Sequence, residues 1–382
     1  MMFSGTYRIC LLMLIAIIAS CGGGGGGGGI AGISSPGGGG IGGTGITSSG
    51  TVDGFGSIFV NGVEFETDEA EILVDGEPVT EEALGLGMVV VVSGTVNDDG
   101  TSGVAERVTY DQEVEGPVES IERDQDGDSM LVVVTGQEVI AERTGTVFEG
   151  VSFDTLAVGD VVEVSGFSNG QGQLRATRIE REGEFVPGVS KVEVEGIVTQ
   201  LTATEFILDG LIVDYSNADL SDLPGGELQE GMLVEVVGTL EDGRILATRI
   251  ELEGGVEDAF DDDEQVNVEG TISNFASRAD FQVNGVPVNA SNATLQPTSL
   301  VLGNGVVVEA QGTWNGSVLQ AEIVGARRGR IEIEAVVSAV DPQSGIITLQ
   351  LVGGTVDVKV DSRTLLEDDT DAVEPLTIEG IR

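Results

Sequence analysis

Val192-Glu193-Val194-Glu195-Gly196-Ile197-Val198-Thr199-Gln200-Leu201-Thr202 opens the unit whose reading decides the fold. Apolar and polar residues alternate with period two, the pattern of a strand buried on one face. Gly196 interrupts it as a bulge would. Glu205 to Leu208 and Leu211 to Tyr215 follow as two more strands, turned by Asp209-Gly210, a strong hairpin signal. The polar stretch Ser216 to Glu230, with Pro224-Gly225-Gly226, has room for one short helical turn. Met232 to Gly238 reads as a fourth strand, Glu241-Asp242-Gly243 as a turn, and Ile245 to Glu251 as a fifth strand. Five short strands with a longer insertion after the third outline a small closed barrel of the oligonucleotide/oligosaccharide-binding (OB) kind. A small sandwich is the alternative, but closure would leave no exposed sheet edge.

The unit recurs. Its openings are Ser49-Gly50-Thr51-Val52, Glu115-Gly116-Pro117-Val118, Glu195-Gly196-Ile197-Val198 and Glu269-Gly270-Thr271-Ile272. A degenerate fifth starts at Glu334-Ala335-Val336-Val337. The fourth strands end on Val92-Ser93-Gly94, Val164-Ser165-Gly166, Val236-Val237-Gly238 and Ala310-Gln311-Gly312. The closing hairpins place Ala105-Glu106-Arg107, Ala176-Thr177-Arg178, Ala247-Thr248-Arg249 and Ala321-Glu322-Ile323 in one slot. Arg107, Arg178 and Arg249 recur there as lone bases among acids, suited either to a ligand or to a cross-strand pair with a neighbouring glutamate.

The fold class expected is therefore all-β: a tandem array of small five-stranded OB-like β-barrels after a disordered Gly-rich tether. The division is 1–20 signal peptide, 21–49 tether, and β repeats at 50–112, 113–191, 192–253 and 266–330. An acidic linker at 254–265 and an incomplete repeat at 331–382 complete it. Short connections between copies suggest a semi-extended rod, flexible at the acidic linker.

At the N-terminus, Arg8 precedes an apolar core from Ile9 to Ile18, too short for an ordinary membrane span. Ile18-Ala19-Ser20-Cys21 resembles the lipobox of bacterial lipoproteins, which implies a diacylglyceryl group on Cys21 and attachment to a membrane. Gly22 in place of Asp favours, by the same resemblance, an outer-membrane or cell-surface location in a Gram-negative type of envelope. The following glycine run lacks the Lys-Ser/Thr of a phosphate loop and reads as a tether. Cys10 would leave with the signal and Cys21 would carry lipid, so stability rests on packed cores and not on disulfides.

Gly54-Phe55-Gly56-Ser57-Ile58-Phe59-Val60-Asn61-Gly62-Val63 resembles the opening of bacterial repeats gathered as domain-of-unknown-function family 5666. The glycine-rich start and Val158 to Gly166 are similar to the same family. The resemblance spans nearly all of the chain after Cys21 and implies a repeat build and an envelope location, with no activity attached.

The chain carries 65 Asp plus Glu against 17 Lys plus Arg. That balance repels phosphates and argues against nucleic acid, while it attracts cations and basic partners. There is no histidine, which removes the usual general base and zinc ligand. Paired carboxylates remain, but they sit at alternating or turn positions, as on solvated strand faces. No catalytic residue is assigned and no enzyme activity is expected.

Two acidic stretches are weak candidates for Ca2+, the one cofactor considered. Glu122 to Ser129 places Asp124, Asp126 and Asp128 like the start of a calcium loop, but its twelfth position is Val133 and not glutamate. A hairpin tip is the simpler reading. Glu257 to Glu264, with Asp261, Asp262 and Asp263, holds six acids in eight residues, which should self-repel and stay extended. The fourth repeat differs: Val266 to Arg330 has four acids and four bases. Trp314, Arg327 and Arg328 there are candidate contacts for a basic or glycan partner, although Trp314 also falls in the slot of Val96, Phe167 and Leu240. The function expected is a lipid-anchored surface scaffold or binding module. A calcium-dependent adhesion protein and a carbohydrate-binding barrel array are the alternatives.

Overall fold

The computed structural model describes residues 44–55, 57–98, 100–327, 335–351 and 354–360. Strand dominates, with short 3-10 turns at Glu81–Ala83, Pro224–Gly226 and Val256–Ala259. None of the described helices is long and apolar enough to cross a membrane.

The first repeat comprises β1 (Thr44–Gly54), β2 (Ile58–Val60), β3 (Val63–Glu66), β4 (Glu71–Val74), β5 (Glu77–Val79), β6 (Val89–Val96) and β7 (Ser102–Tyr110). The second holds β8 (Val114–Arg123), β9 (Ser129–Val134), β10 (Gln137–Glu142), β11 (Val147–Glu149), β12 (Asp160–Ser168) and β13 (Gln173–Glu184). The third holds β14 (Lys191–Ile197), β15 (Glu205–Leu208), β16 (Leu211–Asp214), β17 (Leu233–Glu241) and β18 (Arg244–Leu252). The fourth holds β19 (Gln265–Ser277), β20 (Asp280–Val283), β21 (Val286–Asn289), β22 (Thr294–Gln296), β23 (Val307–Trp314) and β24 (Leu319–Ala326). A separate unit carries an antiparallel sheet of β25 (Val336–Asp341), β26 (Ile346–Leu351) and β27 (Gly354–Lys359). The remainder of the fifth copy lies outside the described residues.

Each of the four repeats closes on itself. In the fourth, β19 pairs with β20, β20 with β21, β21 lies parallel to β24, β24 pairs with β23, and β23 returns to β19. The first and second repeats repeat this circuit. In the third, the chain just beyond β14 meets β15 through a single bridge, Thr199 to Ile207. Alternating side chains fill each barrel, for example Val234, Val236, Ile245 and Ile250 in the third.

Two kinds of glycine make the circuit fit. Those within the fourth strands, Gly94, Gly166, Gly238 and Gly312, do not end them as the sequence suggests but sit where the fifth strand carries a bulge. The extra residue there is Glu106, Thr177, Thr248 or Glu322, the second residue of the slot shared by the closing hairpins. A β-carbon on any of these glycines would meet a main-chain carbonyl of the fifth strand: Val104, Arg175, Leu246 or Gln320. The first-strand glycines, Gly50, Gly116, Gly196 and Gly270, lie beneath the hairpin turn between the second and third strands or the strand leading into it. That turn starts with a residue at positive φ in every repeat: Asn61, Thr135, Asp209 and Asn284.

Thr135 is the exception in chemistry. Its φ is 43°, costly for a β-branched side chain, and its buried hydroxyl finds no partner among the described residues. At the same place Asn61 donates through Nδ2 to the Ser49 carbonyl at 2.9 Å. Thr135→Asn is expected to stabilise the protein by about 1 kcal/mol. An unchanged or lower denaturation midpoint would show that the turn does not strain the threonine.

The repeats do not form a rod. Each first strand pairs with its own fourth strand on one edge. On the other edge the residues after its glycine meet its own second strand and those before it meet another repeat. Ile46–Ser49 of β1 lies parallel to Gln265–Val268 of β19 and joins the first repeat to the fourth. Glu115 and Val114 of β8 pair with Glu193 and Val194 of β14 and join the second to the third. The semi-extended arrangement is thereby corrected, because half of each first strand offers main-chain donors and acceptors that must be matched.

Two boundaries move for the same reason. Thr44 to Ser49 belong to the first barrel and not to the tether, with Ile46, Thr47, Ser48 and Ser49 buried. The acidic segment is also folded, not extended. Phe260 packs edge-on against Trp314 with ring centroids 5.4 Å apart, anchoring the run to the fourth repeat. Glu264 then accepts the Thr47 hydroxyl at 2.9 Å, across the first-to-fourth joint.

Candidate functional site

A charged interior lies where the first three repeats meet. Across β13, β12, β8 and β14, Glu180 faces Glu163, Glu163 faces Glu115, and Glu115 faces Glu193. Across β14, β17 and β18, Glu195 faces Glu235 and Glu235 faces Glu251. Like charges in such register repel. These glutamates correct the expectation of a solvated strand face: Glu115 is 8% exposed and Glu193 only 1%. A cavity of about 280 Å3 opens beside them, lined by Asp75, Gly76, Glu77, Asp111, Glu235, Arg249 and Glu251.

Three cations answer the acids. Lys191 Nζ lies 2.9 Å from Glu193, 3.1 Å from Glu115 and 3.6 Å from Asp75, so one ammonium ties three repeats together. Arg249 reaches Glu251 at 3.4 Å and Glu235 at 3.6 Å. Arg178, almost fully buried, meets Glu149 and Glu180 at 2.6 Å each and donates to the Leu86 carbonyl of the first repeat at 3.1 Å. Beside it Thr177 donates to the Gly87 carbonyl at 2.6 Å. The recurrent arginines are thus charge pairs; Arg107, paired with Glu71 at 2.7 Å, is an exposed one.

Burial dominates the protonation of this region. It lifts Glu235 to about 8, helped by Glu193 and Glu251. It lifts Glu113 to about 8, helped by Glu253 and Asp111, and Glu253 to about 7. Burial raises Glu163 to about 7 even though Tyr110 donates to its carboxylate at 2.6 Å, and it raises Glu195 well above the usual range. For Lys191 burial acts downward, but Glu193 and Glu115 outweigh it and push the ammonium up. Chemically the site offers acceptors in excess, suited to holding protons at neutral pH and to salt links between repeats.

The residues singled out from sequence lie elsewhere. Asp124 sits at the β8–β9 hairpin tip, as the simpler reading had it. Its carboxylate accepts from the Gly127 and Asp128 amides at 2.7 and 3.0 Å and from the Ser129 hydroxyl at 3.0 Å. The Ser129 main chain first, and these donors with it, hold its pKa below the usual range. Asp261, Asp262 and Asp263 have exposed side chains, while the Asp263 amide donates to the Trp314 carbonyl at 2.9 Å. Among the described residues no group of three or more Asp, Glu, Cys or His is placed to hold a metal. Trp314 is 5% exposed and packed in the core, as the slot it shares with Val96, Phe167 and Leu240 suggested, and so is not placed as a partner contact.

Arg327 is likewise turned inward. It pairs with Glu269 and Asp53 and donates to the Thr51 hydroxyl at 2.6 Å, bolting the fourth repeat to the first. Cys21 and Arg328 lie outside the described residues. What the sequence reading missed is the buried acid row. Its signal was present, because glutamate recurs directly before the first-strand glycine at Glu115, Glu195 and Glu269.

The family described as "Domain of unknown function (DUF5666)" matches residues 45–109, 115–180, 195–251 and 269–324, one stretch for each closed barrel. Among curated proteins none matches the chain.

Proposed function

The chain belongs to the DUF5666 family through four tandem copies, and from that premise we propose that it is a lipid-anchored envelope scaffold without catalytic activity. The barrels are read as OB-like, since the strand circuit first, second, third, fifth, fourth, with third and fifth parallel, is the order such barrels use. One observation carries the scaffold reading. The strand halves that pair repeats, and the charges beside them, engage one another and leave an interlocked body of four repeats. Cys21 would tether that body at an outer membrane or cell surface.

Two measurements test this. Cells expressing the full chain should incorporate labelled palmitate into it, and Cys21→Ser should abolish the label. Protease added to intact cells should remove the wild-type protein. No label would sink the anchor, and a lipidated protein untouched by external protease would sink surface exposure. The adhesion alternative requires calcium to raise the melting temperature beyond sodium of matched ionic strength, whereas the scaffold reading expects equal effects.

A further inference from the structure

The second and third repeats are joined by a short strand contact, Glu115 to Glu193 and Val114 to Val194. One of its two residue pairs sets carboxylate against carboxylate. We propose that this β8–β14 joint is a protonation-operated latch, closed while the carboxylates around it share protons and loosened once all of them are ionised.

The groups facing the joint come from every element packed on it. β8 and its lead-in supply Glu113 and Glu115, and β12 supplies Glu163. β14 supplies Glu193, Glu195 and Lys191. β17 and β18 supply Glu235, Arg249 and Glu251, with Glu253 just beyond. The first repeat supplies Asp75, Asp111 and the Tyr110 hydroxyl, and β13 supplies Arg178, Glu180 and Glu182. Carboxylates outnumber the three cations severalfold in this shell. Ionising every one at once would set like charges a strand spacing apart with little solvent between them.

The sign follows from linkage. The folded pKa values of Glu113, Glu163, Glu235 and Glu253, about 7 to 8, exceed their ordinary 4.5. Between those limits the closed joint binds more protons than the open chain, so closure weakens as pH rises through that window. Below it the carboxylates are neutral in both states and the joint keeps its full strength.

The test is amide hydrogen exchange on the full chain, read as protection factors corrected for the intrinsic pH dependence of exchange. From about pH 5.5 to about pH 8.5, protection of the Glu115 and Glu193 amides, the pair at the joint, should fall about tenfold or more. Protection of Val308 and Ala310 in β23, remote from the acid row, should hold. In the double variant Glu195→Gln/Glu235→Gln the fall should shrink, because neutral isosteres cannot ionise. Protection in β8 and β14 that is flat with pH would overturn the latch. So would an equal loss in β23, which would mean general unfolding, or an unaltered slope in the glutamine variant. Should that variant fail to fold, the wild-type comparison between β8/β14 and β23 still decides.

Discussion

Gly238→Ala is expected to destabilise the protein by about 3 kcal/mol or more, the largest effect of any single methyl group added to the third repeat. The methyl would meet the Leu246 carbonyl and the Ala247 Cα, both main chain, so no side chain can turn aside. Relief would require the bulge at Thr248 to flatten, which would shift the register of β17 against β18 and turn buried Ile245 or Ile250 outward. Gly45→Ala is the matched control. It lies in β1 with open space around the added atom, and a change within about 1 kcal/mol is expected. Urea midpoints and slopes for the two variants measure the difference. Equal midpoints would show that the fourth-strand glycines serve no packing need.

The second large effect is expected at Arg327. Arg327→Met should cost about 3–5 kcal/mol, because it leaves a buried carboxylate without its cation. Glu269 is 2% exposed; without the guanidinium it keeps only the Thr51 amide and hydroxyl, at 3.0 and 2.9 Å. Asp53 stands in the same pocket with its pKa lifted to about 6, by burial first and Glu269 second. Pairing the change with Glu269→Gln should recover most of the loss, since an uncharged amide needs no counter-ion. The comparison is a double-mutant cycle on thermal or urea unfolding. An additive cycle would mean that Arg327 and Glu269 do not depend on one another, and that the first-to-fourth joint is held by main-chain pairing alone.

Local chemistry announced itself in the sequence; partner choice did not. Asn61-Gly62, Asp209-Gly210 and Asn284-Gly285 mark hairpins because the backbone there must take positive φ, and few residues accept it. The fourth-strand glycines were visible as a recurrence, although the reason, a carbonyl on the opposite strand, appears only in three dimensions. Thr44 to Ser49 reads as tether because glycine, serine and threonine look the same in a linker and in a strand buried against another repeat. Glu115 and Glu193 alternate as exposed residues would, and period two cannot distinguish a face turned to water from one turned to a neighbour. Phe260 was the legible clue in the acidic run, a lone large apolar residue where free linker needs none.

The parallel pairing of β1 with β19 also governs the order in which the chain can be completed. In repeat arrays that contact only adjacent copies, structure spreads outward from any point. Here Thr51 hydrogen-bonds Glu269 across a separation of 218 residues, so the first barrel can close on its own strands but its joint to the fourth cannot form until most of the polypeptide has been synthesised. During that wait the upstream half of β1 presents unpaired main chain, the condition in which nascent strands aggregate. Thr47, Ser48 and Ser49 lie along that half. An early edge faced with hydroxyls is a poor template for association with other chains, and it suits a partner that arrives late.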